Sequence, residues 1–478
     1  MNNYEPMPRN SEPQRTEHAV VIGGSIAGLC AARVLADTFD RVTLYERDDL
    51  PDQAVDRSAI PQGQHVHLLM ARGAHELEDL FPGLLDEMAA AEMPVLHNEP
   101  AEIHFTASGH VLSTGHRGRE GFTAYLPSRA LLEWHVRTRV QALPRVQIVK
   151  GDVDRPQFDP AAGRVTGVVL DGRESVPADL VVDASGRGSR LPTWLQEWGF
   201  EQPRVDAVKV GVTYASQRVR IPAGMMAEKM VVAGASHDRP LGIGMLFHED
   251  GTWIVTAFGV GGAAPPRDFA GVCELADAVL PAHIGPALRA GELLGTMKFH
   301  SYPTSKWRRY DKLAKMPAGI MPFGDAVVSM NPTFGQGVTM SALQASVLRD
   351  VLARGTHNLV PRVARATVRA IMPVWTMNAV ADISAHRAQG PQPWWYLPSY
   401  RLMDQFLGAA ESDGVLTEWF LRRTSMLDSL WVVPPPRVLA RAIRHNTGAW
   451  LAERRGRRAG TATVPDYVDA ESTKSRSM

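Results

Sequence analysis

Two stretches of this sequence have the residue types and spacing of anion-binding loops. The first is "GGSIAG", Gly23 to Gly28, and the second is "GDAVVSMNPTFGQG", Gly324 to Gly337. Glycine lets a backbone turn tightly and brings bare N–H groups close to a phosphate. Ser25 stands where a G-x-G-x-x-G loop has its middle glycine, so its hydroxyl is expected beside the phosphates. Glu46 follows the first loop by roughly 20 residues, where a dinucleotide site needs a carboxylate for a ribose hydroxyl pair. Asp325, opening the second loop, can hydrogen-bond a polyol chain or a phosphate-linked hydroxyl.

The elements that must position these residues are legible. Ala19 to Ile22 read as a short buried strand, and Gly23 and Gly24 as the turn. Leu29, Val34 and Leu35 share one face of the helix that follows, and Arg41 to Tyr45 form a second strand. Gly23, Gly24, Gly28 and Arg33 break the apolar run Ala19 to Ala36, which is too short to span a membrane. A simple nicotinamide-linked dehydrogenase would continue with alternating strands and helices. Here helical patterns over Ala71–Phe81 and Arg129–Leu143 are followed by a hairpin turning at Asp171-Gly172. A buried strand, Ala178 to Val182, then ends at Asp183. Gly319 to Phe323 is another short strand, and Val338 to Arg354 a helix, so Gly335 to Gly337 lie at a helix N-terminus. One extended ligand uses all of these pieces: a pyrophosphate on the first loop, a polyol at Asp325, and a ring that becomes anionic at the second helix. FAD has that shape.

Three motifs in order, "GGSIAG" with Glu46, "DLVVDASGRGS" and "GDAVVSMNPTFGQG", resemble the FAD-dependent aromatic hydroxylase and epoxidase superfamily, the group A flavoprotein monooxygenases. The resemblance runs from Ala19 to Arg354. "PQGQHVHLL" and "SRALLEWHV" look most like bacterial enzymes that epoxidise or hydroxylate olefinic polyketides and related natural products. The resemblance implies a role for each matching residue. Gly23, Gly24, Ser25 and Gly28 would line the pyrophosphate, and Glu46, with Arg47 beside it, the adenosine ribose. Arg129 would contact FAD, and Arg57 would touch the flavin from a loop. Val153 would lie beside the adenine. Asp183 belongs to the segment that touches FAD and NAD(P)H, although Ser185 replaces an aspartate common there. Gly324 and Asp325 would face the ribityl or pyrophosphate region, and Pro332, Gly335 and Gly337 would edge the flavin ring. The implied chemistry passes through a C4a-hydroperoxyflavin, so the oxidising atom comes from the cofactor.

The expected fold is α/β. It has a Rossmann-like FAD-binding domain of the glutathione-reductase type over 18–202 and 300–358, and an inserted antiparallel β-sheet substrate domain over 203–299. A helical C-terminal region spans 359–453, between a disordered lead-in at 1–17 and a flexible tail at 454–478. Within the sheet, "VDAVKVGVTYASQRVRI", "MVVAGAS", "LGIGMLF" and "TWIVTAFGVGG" read as strands. Met225, Met226 and Met230 offer either an apolar pocket wall or ordinary core packing. No acid or base stands out in this half; Tyr214 and His248 are the polar pocket candidates. That favours epoxidation over phenol hydroxylation, which needs a group to take a ring proton. The H-x-H pair His65 and His67 reads as loop hydrogen bonding, with no metal, and Trp394 and Trp395 as core or interface.

The chain has 478 residues and equal numbers of acids and bases, 51 of each, which argues against a nucleic-acid partner. Its two cysteines, Cys30 and Cys273, build no disulfide framework and fit a cytoplasmic enzyme. The reading is an FAD-dependent monooxygenase of an apolar natural product and O2, monomer or homodimer. Its electrons come from NAD(P)H, directly or through a flavin reductase. A flavin-dependent reductase of isoprenoid double bonds, like geranylgeranyl reductases, is the alternative on the same fold, and a non-catalytic dinucleotide-binding protein the alternative of another class.

Overall fold

The computed structural model describes residues 17–57, 61–97, 100–114, 123–172, 174–384, 388–429 and 434–460. The lead-in before residue 17 and the tail after 460 lie outside these. The nucleotide half is built on a five-stranded parallel sheet. Its strands lie in the order Ile320–Pro322, Leu180–Asp183, His18–Ile22, Arg41–Glu46 and Val146–Lys150. Chain order therefore reverses at the first strand, and ligands of such sheets bind at the carboxyl ends of the strands at that point. The register aligns those ends: Ile22 pairs with Tyr45 on one side and Asp183 on the other, and Asp183 pairs with Pro322. Both glycine loops and the Asp183 loop thus leave the sheet from neighbouring strands.

The helix Ile26–Leu35 buries Leu29, Val34 and Leu35, together with Cys30, against this sheet. The helix Gly337–Leu352 packs on the same layer through Val338, Ala342, Ala345 and Leu348. The hairpin between Arg164–Leu170 and Glu174–Pro177 turns at Asp171-Gly172, whose φ angles of 44° and 73° are both left-handed.

The second sheet has eight strands. Its two longest strands, Val205–Arg220 and Glu292–Arg308, pair antiparallel toward one edge. Trp253–Gly259, Leu241–Phe247 and Met230–Ala233 follow antiparallel on one side. All four strand-like runs read from the sequence are present. The sheet also reaches beyond 203–299. Ile103–Ala107 joins it in parallel next to Met230–Ala233, and the 299/300 boundary falls inside the continuous strand Glu292–Arg308. Strand membership here is set by cross-strand pairing, which local sequence does not carry.

Among the described residues, four further helices follow: Leu359–Ser384, Tyr396–Ala410, Gly414–Thr424 and Pro436–Gly460. The last runs past the expected start of the tail at 454. Met230 is a core residue beside Leu96, Leu246 and Ile254, whereas Met225 is exposed. Trp394 is no core residue: it is 86% exposed, while Trp395 packs edge-on against Tyr396. Among the described residues no helix is long and apolar enough to cross a membrane.

Candidate functional site

Close backbone approach shapes the first loop. Gly23 has a φ of 103°, and a Cβ there would meet the Ala184 carbonyl oxygen at 2.7 Å. A Cβ on Gly28 would lie 1.9 Å from the Gly23 oxygen, so only glycine lets the helix sit this near the turn. The Gly24 N–H donates to Glu46 Oε2 at 2.7 Å, and the Asp48 N–H donates to Glu46 Oε1 at 3.1 Å. Burial pushes the Glu46 carboxyl up. Those two N–H groups and the Arg57 guanidinium outweigh it and hold the group below the usual carboxylate range.

Arg57 is buried at this spot. It lies 2.7 Å from Glu133, 3.1 Å from Glu46 and 3.3 Å from Asp48. Arg129 donates to Ser25 Oγ at 2.8 Å and to Glu133 Oε2 at 3.4 Å. Ser128 caps its helix, Arg129–Gln141, by accepting from the Leu131 N–H. Arg57, Gly63, Arg129 and Glu133 line a crevice beside the loop. Sequence reasoning missed Glu133. Its signal was present: an acid four residues after Arg129 faces the same side of a helix. Arg47, by contrast, is exposed, with only Asp48 near it at 3.9 Å. Val153 begins the strand Val153–Asp159 and packs in the cluster that holds Tyr45.

Asp183 is fully buried, and its own loop uses both carboxylate oxygens. Ser185 N–H donates to Oδ1 at 3.1 Å and Ser189 Oγ to Oδ2 at 2.5 Å. It shapes the turn over Gly186–Gly188. Gly324 has a φ of 63°, and a Cβ on it would meet Ala27 of the first helix at 2.6 Å. The second loop therefore presses on the first. Among the described residues nothing donates to the Asp325 carboxylate. Burial pushes it up to about 6, against the pull of Arg187, Arg129 and Arg308. Arg129 thus faces Ser25 of one loop and the field of Asp325 of the other.

Pro332 begins a short turn ended by Gly335 at a φ of 68°, and Gly337 opens the helix Gly337–Leu352 with free space around its Cα. A neighbour the sequence did not name pins this loop. Asn331 donates to Asp382 at 2.7 Å and Asn378 to Gln336 at 2.8 Å, both partners lying on Leu359–Ser384.

The substrate sheet presents a second cluster. Tyr214 is buried with its hydroxyl unpartnered, and its ring lies 5.4 Å from His65, 6.5 Å from His300 and 6.4 Å from Phe258. His65 Nδ1 meets Ser216 Oγ at 2.7 Å, Ser216 meets Thr256 at 2.6 Å, and the Val66 N–H donates to Thr256 at 2.8 Å. Every hydroxyl proton finds an acceptor when Thr256 donates to Ser216 and Ser216 to His65, which leaves His65 neutral with its proton on Nε2. Burial, then His300, lowers its pKa to about 4. Next to this group Tyr302 bonds Ser329 at 2.8 Å under the Arg187 guanidinium, 4.3 Å above the ring.

His248 is not part of this cluster. Both of its ring nitrogens are buried without partners, and burial lowers its pKa to about 4. It lies near His67, whose pKa falls to about 3 through burial, then Arg129 and His248. The structure thus separates the two pocket candidates: Tyr214 sits with His65 and His300, and His248 sits with His67 toward Arg129.

These residues fit FAD. The tight turn at Gly23 holds the start of the helix Ile26–Leu35 at the sheet edge, the space at Gly337 is open, the buried Nε atoms of Arg57 and Arg129 lack partners, and no described residue donates to the Asp325 carboxylate.

Residues 390–456 match the family described as the Mycobacterium Rv3254 C-terminal domain. The chain is 54% identical over 461 residues to Protein Rv3254 of Mycobacterium tuberculosis, covering 94% of this chain and 97% of that protein. It is 26% identical over 358 residues to kynurenine 3-monooxygenase of Salinispora arenicola, covering 70% of this chain and 72% of that one. Among solved structures, p-nitrophenol 4-monooxygenase PnpA of Pseudomonas putida superposes with a TM-score of 0.59 at 15% identity, covering 87% of this chain and 99% of that chain. The flavin-dependent brominase Bmp2 superposes with a TM-score of 0.58 at 14% identity, covering 92% of this chain and 100% of that chain. At these identities the two structures establish the shared fold.

Proposed function

Because this chain belongs to the family of Protein Rv3254, within the FAD-dependent monooxygenase superfamily, we propose that it inserts one oxygen atom of O2 into a mostly apolar natural product. The observation that carries this reading is the meeting of the two glycine loops. Gly324 abuts Ala27, and Arg129 serves Ser25 on one side and the field of Asp325 on the other. Bound FAD would supply the activation of O2 after reduction by NAD(P)H, directly or through a flavin reductase. Glu46 would accept from ribose hydroxyls, Arg129 and the Gly23–Ser25 turn would hold the pyrophosphate, and Asp325 would hold the ribityl chain. The helix N-terminus at Gly337 would favour negative charge on the reduced ring. The sheet face around Tyr214 would orient the substrate and exclude water.

Olefin epoxidation is the first reading, because it asks for an oriented double bond and a dry wall. Aromatic hydroxylation is the second, favoured by one observation: His65 joins Ser216 and Thr256 of the substrate sheet in a hydrogen-bonded chain whose direction can reverse, which would free its Nε2 to accept a ring proton. The test is purification with bound flavin, followed by turnover under 18O2 with NAD(P)H and panels of olefins and phenols. Labelled epoxide or labelled phenol assigns the reaction. Saturated product without label would point to a double-bond reductase. A colourless protein that ignores added FAD would overturn the proposal.

A further inference from the structure

The exposed apolar residues are unevenly placed. Among the described residues, eight of the fifteen large hydrophobic side chains that face solvent lie between Trp394 and Leu451. The helix Pro436–Gly460 organises part of them. Val438 and Ala442 bury one face against Phe406, Leu407 and Ala409. Leu439, Ile443 and Trp450, at spacings of four and seven, share a different face and stay in solvent, Ile443 at 62% and Trp450 at 48% exposure. Asn446 reaches the Gln405 carbonyl at 3.2 Å, while Arg441, nearer the helix start, reaches Asp413 at 2.6 Å, beyond the end of Tyr396–Ala410. The two helices are therefore antiparallel, and Leu402, 73% exposed, falls toward the Trp450 end.

Charge decides what this face would meet. The helix sequence holds seven arginines between Arg437 and Arg458 and one acid, Glu453, in a chain whose acids and bases are equal in number overall. Nearby acids already have partners: Asp413 holds Arg441, and Glu411 holds His110 at 2.7 Å. A twofold contact between copies through this face would set two arginine-rich helices against each other. An anionic lipid surface complements both features, since guanidinium groups meet phosphate headgroups while tryptophan and isoleucine enter the interface. We propose that Pro436–Gly460, with the adjoining end of Tyr396–Ala410, docks this protein onto an anionic membrane surface, lying on the bilayer without crossing it.

The experiment is flotation of the full-length protein with vesicles of phosphatidylcholine alone, or of phosphatidylcholine and phosphatidylserine at about two to one. The protein should float with the anionic vesicles and not the neutral ones, and high salt should release it. Ile443→Ser with Trp450→Ser should lower the bound fraction about tenfold. Arg437→Glu with Arg444→Glu should abolish the preference for anionic lipid. Near-UV circular dichroism of both variants, matching the parent, shows that the fold survives. Absent flotation, equal flotation with neutral vesicles, or unchanged flotation of both variants overturns the proposal. Self-association that Ile443→Ser removes, without flotation, would make the face an interface between copies. Salt-sensitive binding to polyglutamate as tight as to vesicles would assign it to an acidic protein.

Discussion

The two sides of the candidate site solve opposite electrostatic problems. On the nucleotide side, Glu46, Asp48, Arg57, Arg129 and Glu133 are charged, close and mutually paired. On the sheet side, His65, Tyr214 and His300 are packed ring to ring, and burial shifts each toward its neutral form. Buried charges persist only with partners, so the first cluster is tightly interlocked and losing one member exposes the others. Neutral groups tolerate an unpartnered atom at smaller cost, which leaves the second cluster free to wait for a substrate. A dinucleotide carries fixed charge and needs the first arrangement. An apolar substrate needs the second.

The strongest way to break this contrast is Glu133→Ala, which removes the carboxylate that Arg57 and Arg129 share, leaving Arg57 to Glu46 and Asp48 and Arg129 without an acidic partner among the described residues. We expect a loss of about 4 kcal/mol in urea unfolding and no retained flavin, whereas Tyr214→Phe on the other side should keep both. Gly28→Val should cost about 3 kcal/mol by forcing the first helix off its turn, read from the same unfolding midpoint. The neutral histidines sharpen the contrast through pH. His65 and His248 have folded pKa values near 4, below the unfolded value, so their contribution is present above about pH 6.5 and is lost as pH falls toward 4. Thermal unfolding should weaken by about 2 kcal/mol per histidine at pH 5, and His248→Leu should flatten that acid limb. The smallest effect belongs to Tyr214→Phe. Its hydroxyl has no partner, so stability should change by less than about 1 kcal/mol. Any shift in turnover would then report substrate contact, measured as kcat and KM separately.

Much of the nucleotide side was legible because its signals are local. A strand, a turn that requires glycine and a helix lie within eighteen residues, Ala19 to Ala36, and the Asp171-Gly172 turn was equally readable. Arg57 and Glu133 were harder, being 76 positions apart in sequence and joined only by packing. The sheet-side cluster was less legible for the same reason. His65 reads as a hydrogen-bonding loop residue, and it is one, but its partner Ser216 lies 151 positions away in a substrate half bounded at 203–299.

By itself, the sequence determined the kinds of elements, the positions where only glycine fits and the residues able to carry charge, because backbone sterics and side-chain chemistry act within a few residues. Tertiary structure alone decided which charges neutralise one another and which histidine faces Tyr214. It also decided that the two glycine loops leave strands on either side of Leu180–Asp183. Those outcomes depend on strand order and register, and no stretch of chain encodes them apart from the partner it folds against.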